Sequence, residues 1–138
     1  MEFAKVPEIV HSKFFRPLFN TAIFDGPVRV YFSQNLEAEA LKVYFCVRDR
    51  LAPLFQNANE NEASGHLFVM LYPNATTFGE VFDGITPFEV HELDGSIVLG
   101  LNSVSAVEQI EEICDRVVPR IQRDSASGEV ILLSSIPS

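Results

Sequence analysis

Few residues of this chain combine the type and the spacing that chemistry needs. The three imidazoles, His11, His66 and His91, stand far apart, and no pair has the spacing of a metal-binding motif. Glu89 and His91 share one face of a strand pattern with Glu92 on the other, so a metal there needs a third ligand from elsewhere. The simpler reading of that pair is an exposed strand face beside a hairpin. Neither Cys46 nor Cys114 has a CxxC partner. Cys46 falls outside the apolar band of its helical pattern, whereas Cys114 lies inside the stripe of a second one. Lys42 and Arg50 stand one turn to either side of Cys46. Cations so placed lower a thiol pKa, which makes Cys46 the candidate reactive thiol. Gly-x-Ser-x-Gly and a Gly-rich phosphate loop are both missing from the sequence. No catalytic residue is therefore assigned, and no metal or cofactor is expected.

Arg48 is the awkward residue of the first helical pattern. It lies within the apolar arc, roughly in line with Glu37, and must snorkel, pair or reach an opening. With Tyr31, Tyr72 and His66 it forms the set of polar groups expected to line a ligand pocket, if there is one. That pocket would lie between the sheet and residues 9–24 or the link at 73–87. Phe14, Phe15, Leu18 and Phe19 are the candidate interface residues, because several strands read as apolar on both faces and one face lacks an obvious cover.

These residues must be placed by the elements around them. Residues 9–24 suit a short helix or two turns, and Asp25-Gly26-Pro27 is a turn. Residues 28–32 alternate as a strand, with Val28, Val30 and Phe32 on one face and Arg29 and Tyr31 on the other. A helix follows from Ser33–Asn35 to about Ala52, where Pro53 stops or kinks it. Its apolar band is Leu36, Ala40, Leu41, Val43, Tyr44, Val47, Leu51 and Leu54, with Phe45 at the edge. Residues 57–65 read as loop and 67–72 as a buried central strand. The link 73–87 is irregular, with one helical turn expected around 77–82. Strands at 88–93 and 96–101 flank Asp94-Gly95, a strong hairpin signal. Ser105-x-x-Glu108 reads as the capping box of a second helix with the stripe Val107, Ile110, Ile113, Cys114, Val117, Val118 and Ile121. A turn at 125–128 and a last strand at 130–133 complete the chain.

The expected fold is thus an α/β chain folded as an α+β sandwich over 1–138. The N-terminal helical cover is 9–24, the first βαβ half 28–73, and the hairpin plus second half 88–138. A ferredoxin-like βαβ–βαβ order with an extra strand and a mixed, mainly antiparallel sheet is the simplest arrangement. Asp49-Arg50-Leu51-Ala52-Pro53 is echoed by Asp115-Arg116-Val117-Val118-Pro119, one at the end of each helical pattern.

Composition narrows the function. The 138 residues carry a net charge of −9, which disfavours nucleic acid and anionic membrane surfaces. The start has neither a basic nor an apolar leader segment, no apolar run spans a membrane, and two thiols suit the reducing cytoplasm. The expectation is a non-enzymatic, homodimeric interaction or regulatory domain, whose partner is a protein or a second copy. The alternative is a small-ligand sensor or cofactor-free enzyme.

Overall fold

A computed structural model describes residues 2–4, 14–55, 66–82, 86–93, 96–123 and 130–132. They form a mixed six-stranded sheet, a separate two-stranded hairpin and helices on both sides of the sheet, an α+β architecture. The strands of the large sheet are β1 (Glu2–Ala4), β2 (Thr21–Asp25), β3 (Val28–Phe32), β4 (Leu67–Tyr72), β5 (Phe88–Leu93) and β6 (Ser96–Asn102). Their spatial order is β1-β2-β3-β4-β6-β5. β3, β4 and β6 run parallel, and the flanking pairs are antiparallel.

Helix α1 (Glu37–Arg50) connects β3 to β4, preceded by a 3-10 turn at Gln34–Leu36 and followed by another at Ala52–Phe55. Pro53 sits in that second turn, as its stop signal implies. Ala40, Val43, Tyr44, Val47 and Leu51 of the expected band are buried, and Phe45 at its edge is exposed. β4 is buried on both faces between two parallel neighbours, as its continuous apolar run requires.

Several expectations need correction. Residues 21–24 belong to β2 rather than to a helix, and residues 9–13 lie outside the described residues. The cause is the 25–27 turn, where Gly26 takes φ +58° and folds 21–25 back onto 28–32. Within 73–87, Ala75–Phe82 forms the two-turn helix α2, where a single turn was expected. Asn74 starts it by accepting the Thr77 N–H at 2.9 Å. The capping box at Ser105 is not used. Asn102 Oδ1 instead accepts the Val104 N–H at 3.2 Å, opening the short helix α3 (Ser103–Ala106). Helix α4 (Ile110–Val117) follows after a 3-10 turn. The loop 57–65, the Asp94-Gly95 turn and the 125–128 turn lie outside the described residues.

The sheet order also differs from a ferredoxin-like one. There the strands of a βαβ half have another strand between them, whereas β3 and β4 here are hydrogen-bonded neighbours. The last strand, β8 (Val130–Leu132), pairs with β7 (Ile121–Arg123) and not with the large sheet. The echoed segments nevertheless meet: Arg50 Nη1 lies 2.6 Å from Asp115 Oδ1.

The core has two parts, one on each face of the sheet. Val30, Val69 and Leu99 share one cluster with Val43 and Val47 of α1 and Ile113 and Cys114 of α4. Tyr31, Met70, Tyr72 and Val98 share the other with Phe14, Phe19, Phe78 and Phe82. The second face is therefore covered by residues 14–19 together with α2. Gly100 makes this packing possible. A Cβ there would sit 2.2 Å from the Phe82 ring, so only glycine admits the ring so close to β6. Gly100→Ala should lower stability by about 1–3 kcal/mol through overpacking. Gly79→Ala, on the exposed side of α2 with nothing within 4 Å, should raise it by about 0.4–1 kcal/mol. Urea midpoints of the two variants should move in opposite directions.

Candidate functional site

Among the described residues a recess lies where the 25–27 turn faces the end of α1. It is a cleft of about 250 Å³ lined by Asp25, Gly26, Pro27, Arg48, Ala52 and Pro53. Tyr44, only 2% exposed, stands behind it and donates its hydroxyl proton to Asp25 Oδ2. Burial first, and then this bond, push the Tyr44 phenol above its ordinary pKa. The Arg48 guanidinium lies 5.8 Å from the centre of the Tyr44 ring and 5.1 Å from that of Phe45. Its Nε meets Asp49 Oδ1 at 3.2 Å. Arg48 thus leaves the apolar arc by stacking on two rings and pairing with its neighbour, not with Glu37. Phe45 beneath it is 43% exposed.

The other polar candidates are elsewhere. Tyr31, Tyr72 and His66 are buried, and both tyrosines belong to the second-face cluster, on the opposite side of the sheet from α1. Tyr72 donates to the backbone carbonyl of Phe14 and so ties residues 14–19 to β4. Tyr31 stacks at 6.2 Å on Phe68, yet its buried hydroxyl meets no hydrogen-bond partner among the described residues. Burial pushes its pKa up to about 12 against the lowering field of Arg29. The backbone N–H of His66 donates to Ser96 Oγ at 3.1 Å, and its ring lies 6.0 Å from that of Phe68. The four residues expected to converge therefore do not share the cleft, and Arg48 alone lines it.

Phe14 and Phe19 are buried, and Phe15 and Leu18 are partly buried against the same cluster. All four serve the chain's own packing. Cys46 is half-buried on α1, and Cys114 is fully buried on α4. The electrostatics at Cys46 run opposite to expectation. Burial and the Glu111 carboxylate raise its pKa and outweigh Arg50 and Lys42. Burial pushes Cys114 up to about 12. His91 Nε2 lies 3.6 Å from Glu89 Oε1, and its ring stacks on Phe82 at 5.2 Å. Among the described residues no cluster of three His, Cys, Asp or Glu side chains could hold a metal, and no helix is long and apolar enough to cross a membrane.

Asp25 and Tyr44 escape sequence reasoning because each has a sufficient structural explanation. Asp25 is the expected first residue of a turn, and Tyr44 the expected filler of an apolar band. Only the tertiary fold joins them. No family model, curated protein or solved structure matches the chain.

The two buried tyrosines should respond differently to loss of their hydroxyls. Tyr72→Phe strands the Phe14 carbonyl and should cost about 1–3 kcal/mol, whereas Tyr31→Phe removes an unsatisfied group and should be neutral or stabilising. Chemical denaturation of the pair decides it. Exposure also ranks the thiols: in the folded protein Cys46 should react with a maleimide much faster than Cys114, and equal rates would contradict this ranking.

Proposed function

We propose that this chain is a non-enzymatic protein-interaction domain, and that its working surface is the outer side of α1 around Phe45 and Arg48. The observation that carries this reading is Phe45. Among the described residues, Phe45 and Val104 are the large apolar side chains left exposed. Of the two, Phe45 has a guanidinium stacked over its ring. Aromatic residues and arginines dominate the energetics of protein interfaces. The net charge of −9 favours approach by a basic surface. Since α2 and residues 14–19 already cover the second sheet face, self-association is not needed for the core. The partner is then a different protein, or a second copy that docks through α1. The free thiols suit a cytoplasmic setting. The ligand-sensor alternative has less support, because its four polar residues lie on two sides of the sheet.

The test is affinity capture from the native cell with the immobilised 138-residue chain, alongside a size measurement of the free protein. A stoichiometric protein should bind the wild type and the Val104→Ser control. Phe45→Ser should weaken its capture at least roughly tenfold, the scale of a hot-spot side chain. Equal capture by Phe45→Ser, or a co-purifying small molecule in place of a protein, would overturn the reading.

A further inference from the structure

The cleft beside this surface has a chemistry of its own. Its apolar lining is Pro27, Ala52 and Pro53, and the two prolines offer no backbone N–H to a ligand. Polar recognition by the lining side chains therefore falls to Asp25 and Arg48. The Asp25 carboxylate is fixed, because Oδ2 accepts from the buried Tyr44. Its second oxygen, Oδ1, meets no donor among the described residues and remains an acceptor. Arg48, stacked on the Tyr44 and Phe45 rings, supplies donors from the same lining.

Acceptor and donor in one recess choose among ligands. A carboxylate would satisfy Arg48 but face the Asp25 anion, and an ammonium group would satisfy Asp25 but face the Arg48 cation. A neutral amide satisfies both, with N–H to Asp25 and C=O to Arg48. An extended peptide presents the N–H and C=O of one residue toward the same side. At about 250 Å³ the cleft also falls just below the ~300–1,000 Å³ of pockets that enclose small molecules. It suits a chain that crosses it.

Resting on the interaction-domain reading, we propose that the Asp25–Arg48 cleft binds the backbone of an extended, uncharged stretch of a partner polypeptide. The amide N–H of one residue donates to Asp25 Oδ1, its carbonyl accepts from Arg48, and small or proline side chains lie against Pro27, Ala52 and Pro53.

The experiment is selection of a library of peptides, blocked at both ends, on the 138-residue chain. Each selected peptide is then scanned by single N-methylation of its backbone amides. Arg48→Met removes the donor, and Asp25→Asn lets the amide oxygen serve Tyr44 while turning a donor toward the ligand. Each substitution should weaken the selected peptides at least roughly tenfold. One N-methyl position should abolish binding, while alanine at charged peptide positions should change it little. Dependence on one charged side chain would overturn the proposal, as would a library yielding no binder. Peptides indifferent to both variants would refute the cleft as their site. If the captured partner is lost with Phe45→Ser but kept with Asp25→Asn, the cleft assignment fails while the interaction-domain reading stands. Thermal melts of the two cleft variants show that each retains its fold.

Discussion

Strand β4 constrains everything else in this molecule. All six of its residues are buried, and it has a parallel neighbour on each side. A strand apolar on both faces must be covered twice. Leu67, Val69 and Leu71 take α1 and α4 as their cover, while Phe68, Met70 and Tyr72 take α2 and residues 14–19. The two clusters divide the described helices between them, and little large apolar surface remains among the described residues. Where so much is buried, one exposed phenylalanine under an arginine stands out.

The fold was legible where a single residue pattern decides the outcome. The unbroken apolar run at 67–72 reads as a strand covered on both faces, and the broad band from Leu36 to Leu54 as a helix packed on more than one neighbour. It was illegible where two local solutions compete. Residues 21–24 hold enough apolar groups for either state, and the turn at Gly26 settles them as a strand by supplying a partner. Ser105 makes a good capping box in isolation, but the helix starts earlier, at Ser103, where Asn102 at the end of β6 accepts the Val104 N–H. The order of strands was beyond periodicity altogether, because pairing β3 directly with β4 depends on how α1 packs.

The site divides the same way. Arg48 was legible as a cation out of place in an apolar arc. Its companions were not, since an aspartate in a turn and a tyrosine in a core explain themselves without each other. Tyr31 and Tyr72 show the converse error: polar groups on a strand look available for ligands until helices cover them. The echo at Asp49 and Asp115 proved spatial in its consequence, because the two segments are clamped together through Arg50. The two helices then lead to different ends, one into the central strand and the other into a hairpin that packs on the core without joining the large sheet.

That hairpin bears on the order of assembly. Every strand of the large sheet lies before Ser103 in the chain, and β7 and β8 pair only with each other. During synthesis the sheet can therefore close before the hairpin emerges from the ribosome. The second face can be complete at that moment, because all ten residues of its buried cluster precede Ser103. The first face cannot, because Ile110, Ile113, Cys114 and Val117 have yet to arrive. A half-made molecule would show the α1 side of its sheet partly bare, and it is on that side that a nascent chain would need a chaperone's protection.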